Sequence, residues 1–249
     1  MEKALHSLCV AALLCFLPAL AAASGAQVQL DRAPVDLHDK QSLQRGAAIF
    51  VNHCLNCHSA SAMRYARLED LGLSEQQIRA NLMLSAEKIG ETMTTAMDPA
   101  VAKAAFGIVP PDLSLIGRSR SPDWLYSYLK SFYRDPKSKT GWNNTVFPNV
   151  AMPNVLWEYQ GEQALHVTER QDPNTGDMIR SSHLVLESPG SLARMEYDQY
   201  TADLVNYLAY MAEPAQRDRK FWGIIALFVL SAFAVIALML KNEFWKDVK

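Results

Sequence analysis

Cys54-Leu55-Asn56-Cys57-His58 is the stretch that decides how this chain is read. Two thiols three residues apart, with an imidazole beside the second, have the spacing that lets each sulfur add to one vinyl group of a haem while the histidine reaches the iron. Three other uses of such a pair fit less well. A thioredoxin-like redox pair asks for a βαβ setting, whereas residues 39–51 place Leu43, Ala47, Ala48 and Phe50 in a helical pattern that runs into the motif. A tetrahedral zinc site asks for a fourth ligand, and the sequence offers no second Cys-x-x-Cys pair. A disulfide between residues three apart closes too small a loop to stabilise a fold much.

The other two cysteines, Cys9 and Cys15, fall in an N-terminal apolar run. Residues 8–20 follow Lys3 and lead into Ala19-Leu20-Ala21-Ala22-Ala23-Ser24, which reads as a secretory signal peptide over residues 1–23. An uncleaved anchor would need about 20 apolar residues, and this run has about 13. A lipoprotein signal at Cys15 is disfavoured by the bulky Leu13 and Leu14 before it. The exported chain therefore keeps only Cys54 and Cys57, on the side of a bacterial membrane where haem is attached covalently. At the other end, residues 221–240 carry no charge, and twenty helical residues cover about 30 Å of hydrocarbon. This reads as one transmembrane helix, with Trp222, Phe244 and Trp245 placed at its interfaces. Residues 24–220 then form a periplasmic domain and residues 241–249 a short cytoplasmic tail, in the inner (cytoplasmic) membrane and in contact with membrane lipid.

With 49% hydrophobic and 20% charged residues, the composition excludes a disordered tail, a collagen-like fibre and a many-span transporter. A net charge of -2 leaves no basic excess for nucleic acid. Four helices are expected: over 39–51; from Ser74, capped with Gln77, through about Lys88; from Ser121 with Pro122 in its first turn; and over 197–211, with Tyr200, Leu204, Tyr207, Leu208 and Met211 on one face. Pro214 is placed to break the last before the membrane helix. Residues 164–168 and 182–187 flank the turn-rich Asp172-Pro173-Asn174-Thr175-Gly176-Asp177 and predict a hairpin. The fold class expected is mainly α: a c-type cytochrome domain with long loops and a small β-hairpin, plus one C-terminal transmembrane helix.

His58 supplies one iron ligand, and the other axial position separates an electron carrier from a haem enzyme. Spacing leaves that position open among Met63, Met83, Met93, Met97, Met152, Met178, Met195 and Met211. Met83 and Met211 lie on helix faces, where a methionine is core filler, and Met63 is too near His58 to cross to the opposite side. Met152 stands in Phe147-Pro148-Asn149-Val150-Ala151-Met152-Pro153-Asn154, where Pro153 holds it extended and Pro148 stiffens the approach. Among the histidines, His53 abuts the motif and points elsewhere, and His38, His166 and His183 read as surface or hairpin residues.

Further stretches carry a resemblance. Arg45-Gly46 ahead of Cys54-x-x-Cys57-His58-Ser59, Met63-Arg64-Tyr65-x-Arg67-Leu68, Pro110-Pro111-Asp112-Leu113-Ser114, Trp142-Asn143-Asn144, and Ala212-Glu213-Pro214 ahead of Arg219-Lys220 and a single span resemble the cytochrome c1 family, in a proteobacterial form, over essentially the whole chain. The resemblance implies one covalently attached haem c, His58 and Met152 as iron ligands, and Pro110 and Pro111 lining the haem with a backbone carbonyl to orient His58. It makes Arg118 and Arg120 candidates for the haem propionates, Arg120 slightly the better; their other reading is a pair of solvated loop charges. No cysteine pair remains for the extra disulfide of some bacterial members.

By the same resemblance the chain is no enzyme by itself. It is the haem subunit of a dimeric quinol-cytochrome c reductase (cytochrome bc1 complex), beside cytochrome b and the Rieske iron-sulfur protein. It would take one electron from the Rieske centre and pass it to a soluble or tethered cytochrome c. Nine acids against three arginines over 158–203 offer a surface to a basic cytochrome c, or an ordinary solvated face. Two rival functions are a tethered cytochrome feeding a terminal oxidase and a haem peroxidase, which needs an open sixth position.

Overall fold

The computed structural model describes residues 29–171, 176 and 178–247, apart from the side chains of 179, 180 and 220. The expected signal peptide, with Cys9 and Cys15, and most of the 172–177 turn lie outside the described residues.

Helix α1 (Lys40–Ile49) starts where the Asp39 carboxylate accepts from the Ser42 N–H, and it continues without a break into a π-helical turn, Phe50–Cys54. Strand β1 (Ala60–Arg64) and a 3-10 segment (Tyr65–Leu71) lead to α2 (Glu75–Asn81), opened by the Ser74–Gln77 capping box. This helix stops at Asn81, short of the expected Lys88. The Leu82 and Met83 N–H groups both turn to the Ile78 carbonyl, and Arg79 donates to the Glu87 carbonyl at 2.9 Å, folding the chain back. The returning β2 (Thr92–Met93) pairs antiparallel with β1. Helix α3 (Pro99–Phe106) is an addition to the expected four, capped by Asp98 and ended by Gly107 at φ 83°.

The short α4 (Ile116–Ser119) precedes α5 (Pro122–Lys130), whose cap Ser121 accepts from the Trp124 N–H. Strands β3 (Phe132–Arg134) and β4 (Trp142–Asn144) form a small hairpin, followed by α6 (Trp157–Gln160). The expected hairpin is longer than the pattern implies, β5 (Gly161–Gln171) against β6 (Met178–Pro189), with His166 opposite His183. Last come α7 (Arg194–Ala212) and α8 (Gln216–Phe244).

Helix α7 is the spine. Residues 201–212 are buried all round rather than along one face, because α1, α4 and α5 all pack against it. The closest approach is at Gly46, where a Cβ would stand 2.0 Å from the Asp203 carbonyl oxygen. Gly117 of α4 plays the same part against the Leu208 carbonyl at 2.8 Å. Leu43, Phe50, Tyr65, Leu68, Met93, Leu204 and Tyr207 fill the core between these elements. Two of the polar side chains that α7 buries are bonded to other segments, while the Thr201 hydroxyl has no partner among the described residues. Asp203 takes two bonds from Arg45 at 2.6 and 3.0 Å, and Asn206 donates to the Asp36 carbonyl and the Ser42 hydroxyl.

Only Glu213, Pro214 and Ala215 separate α7 from α8. Among the described residues α8 is the one helix long and apolar enough to cross a membrane, with a mean hydropathy of 2.8 over its apolar window. It contains the whole 221–240 run, and none of its apolar window is buried among the described residues.

Candidate haem site

The π-helical turn delivers the motif. After it the Cys57 and His58 N–H groups both bond to the Cys54 carbonyl, at 3.1 and 2.8 Å, so the two sulfurs and the imidazole leave one tight turn. Both cysteines are unpaired and half-buried. Burial, with a smaller push from Cys57, drives the Cys54 thiol up to about 12, and burial raises that of Cys57 as well. A redox-active pair needs the opposite shift, toward the thiolate. Among the described residues no three His, Cys, Asp or Glu side chains converge as a metal site.

Burial lowers the pKa of His58 and so favours the neutral imidazole. Its Nδ1 lies 2.7 Å from the Pro111 carbonyl oxygen. A carbonyl only accepts, so Nδ1 carries the proton and Nε2 keeps its lone pair for a metal. The Pro111 carbonyl is held in turn by a seam between two segments. The Leu113 N–H donates to the Ser59 carbonyl at 2.8 Å, and the Ala62 N–H to the Ser114 hydroxyl at 3.0 Å. Asp112 accepts from the Ser61 N–H and hydroxyl and from the Ser114 N–H. Desolvation pushes the Asp112 carboxyl up, but the bonds from Ser114 and Ser61 outweigh it and hold the group below the usual carboxylate range. The Asp-x-Ser turn in Pro-Pro-Asp-Leu-Ser is the sequence signal from which this seam is readable.

Met152 is half-buried and its sulfur accepts from the Tyr128 hydroxyl at 3.4 Å. Met63, Met93 and Met211 lie in the core, Met93 with its sulfur on the Tyr207 hydroxyl. Met83 packs against the core, Met97 is half-buried, and Met178 and Met195 are exposed. His53 turns from the motif, its ring edge-on to Tyr159 at 5.3 Å.

Pro110 is half-buried and Pro111 exposed. Arg118 stands exposed at the end of α4. Arg120, also exposed, lays its guanidinium over Trp124 at 4.9 Å and Phe147 at 5.7 Å, so it reaches the loop that carries Met152. Ile108, Val109, Leu115 and Phe147, on the segments beside these donors, leave large apolar side chains exposed. A macrocycle bound here would cover such surface, and the donor set of two thiols, a neutral imidazole and a thioether is the one a covalent haem takes. The acids over 158–203 are partly spent inside the fold: Asp203 on Arg45, Asp198 on Lys130 and Glu162 on Arg134.

A family profile described as the Cytochrome C1 family matches residues 31–172 and 190–248. The cytochrome c1 of Allochromatium vinosum is 43% identical over 245 residues, 98% of this chain and 100% of that protein. The cytochrome c1 of Rhodospirillum rubrum is 29% identical over 243 residues, 85% of this chain and 84% of that protein. A protein of Nitrosomonas europaea named ammonia monooxygenase gamma subunit is 45% identical over 231 residues, 93% of this chain and 94% of that one. With the profile covering most of the chain and this identity running from end to end, the chain belongs to the cytochrome c1 family, in its proteobacterial form.

Proposed function

We propose that the chain is the electron-relay subunit of a quinol-cytochrome c reductase, taking one electron from the Rieske iron-sulfur protein and giving it to a soluble or tethered cytochrome c. The observation that carries this reading is the His58 Nδ1 on the Pro111 carbonyl, in one turn with two free thiols. Cys54 and Cys57 would hold one haem c through thioether bonds, with His58 Nε2 and Met152 Sδ on the iron. Bound there, a haem with imidazole and thioether ligands supplies one-electron exchange at a raised potential.

The Pro111 carbonyl fixes the His58 ring and its tautomer, and Asp112 fixes that carbonyl through Ser61 and Ser114. Pro110, Ile108, Val109, Leu115 and Phe147 exclude water from the site, and Arg118 and Arg120 pair with the propionates. Residues 1–23 are removed on export, 24–220 face the periplasm, 221–240 cross the inner membrane and 241–249 remain in the cytoplasm. Cytochrome b and the Rieske protein are the neighbours, in a dimeric complex. The test is to extract the protein from membranes in mild detergent. The reading expects cytochrome b and the Rieske protein to travel with it, and an oxidase in their place overturns it.

The Nitrosomonas relative's name favours a second reading, a membrane cytochrome serving an oxygenase. The same extraction separates the two, since that reading expects a monooxygenase instead of cytochrome b. A haem peroxidase would show a high-spin iron that reacts with peroxide.

A further inference from the structure

Trp142-Asn143-Asn144 stands in the sequence without a role, and the structure ties it to Met152. Asn144 is fully buried. Its Nδ2 donates to the Tyr128 carbonyl at 2.8 Å, and its Oδ1 accepts from the Val146 and Phe147 N–H groups at 2.9 and 3.1 Å. Asn143 accepts at Oδ1 from the Asn144 and Asn149 N–H groups, both at 2.8 Å, and donates from Nδ2 to Asp135 at 2.8 Å. Two side-chain amides thus hold the N–H groups of Val146, Phe147 and Asn149 in the loop that carries Met152.

Tyr128 closes the circuit. Its carbonyl receives Asn144, and its hydroxyl donates to the Met152 sulfur at 3.4 Å. The ring is fixed, stacked on Trp124 at 4.8 Å and 11° and edge-on to Phe132 at 5.0 Å. Asn149, the far anchor, sits at φ 61°, a conformation that Asn tolerates better than most residues.

We propose that Asn143, Asn144 and Tyr128 are positioning residues, a clamp that holds the Met152 thioether in place as a sixth ligand independently of the haem. The proposal rests on Met152 being that ligand. A thioether sulfur is a weak acceptor, and here the phenol takes one of its two lone pairs and leaves the other for iron. The hydrogen bond also draws density from the sulfur. A poorer donor stabilises ferric iron less, so the bond raises the potential.

The experiment uses the membrane-extracted holoprotein, with haem staining after denaturing electrophoresis to show that each variant keeps its haem. Tyr128→Phe should keep the haem and shift the ferrous to ferric equilibrium about tenfold toward ferric, about 59 mV. Asn144→Ala frees the loop and should lose the band and bind carbon monoxide. Asn143→Asp sets two carboxylates together and should lower the potential, and the double change Asn143→Asp with Asp135→Asn should restore it. That restoration separates positioning from damage to the fold. Met152→Ala is the separate arm. If it keeps the band, the ligand assignment fails and the clamp with it. If it loses the band while Tyr128→Phe, Asn144→Ala and Asn143→Asp all keep the wild-type potential and exclude carbon monoxide, the clamp alone is overturned.

Discussion

The His58 Nδ1 meets the carbonyl oxygen of Pro111 at 2.7 Å, across 53 residues of chain. The carbonyl stays there because the next residue, Asp112, is bonded to Ser61 and Ser114. The carboxyl is held below its ordinary pKa, so its contribution is present above that value and is lost as the pH falls through the lowered one. Asp112→Asn should cost about 1 kcal/mol at pH 7. Urea unfolding of variant and wild type, compared at pH 7 and pH 3, should show the gap closing in acid. A gap that widens in acid reverses the sign and refutes this role.

Each thioether needs its own sulfur. Cys54→Ala or Cys57→Ala should reduce the haem that survives denaturing electrophoresis, and the double variant should lose it. Cys9→Ala and Cys15→Ala should leave the stain unchanged. Full staining of the double variant would end the covalent reading.

Ending the chain after Glu213 removes α8. The haem domain should then appear as a soluble periplasmic protein that keeps its haem but assembles poorly with the reductase. An alkaline wash is the assay, and a truncated protein still embedded after it would identify residues 8–20 as an uncleaved anchor.

Met152→His exchanges a thioether for a nitrogen ligand, which favours ferric iron. Covalent haem should persist while the potential falls, and each 59 mV of lost driving force is about tenfold in the transfer equilibrium. Turnover should stop with the complex intact. A redox titration with the potential unmoved points to another methionine; Met93 is committed to the core and to Tyr207, which leaves Met97.

Gly46→Ala places a Cβ against the Asp203 carbonyl and the Tyr207 side chain. Neither can yield without moving α7, so the cost should be about 1–3 kcal/mol or more, read as a lower midpoint in thermal unfolding. The conservative Arg45→Lys, at a half-exposed partner of Asp203, should cost less.

What the sequence makes legible is what short-range chemistry decides. Asp39 before α1, Ser74 with Gln77, Ser121 before Pro122 and the paired strands around 172–177 all act within a few residues of themselves. The motif 54–58 carries its meaning in its own spacing. What stays hidden is set by distant partners. Helix α2 stops early because Arg79 captures the Glu87 carbonyl. Helix α7 is buried on every side because three other helices reach it, although its pattern shows one apolar stripe. Trp142-Asn143-Asn144 carries a resemblance in the sequence, but its role shows only in the bond from Asn144 to the Tyr128 carbonyl.

Three residues join the spine of the haem domain to the membrane helix, and fully extended they reach about 11 Å. Glu213 and Arg219 are also paired across the joint. With α8 in a bilayer, the domain is held at a nearly constant height, on a leash about one nanometre long. Such a leash leaves it little reach away from the membrane. On the proposed function, donor and acceptor would have to bring their own centres to it, and an acceptor drifting along the membrane surface would search a plane rather than a volume.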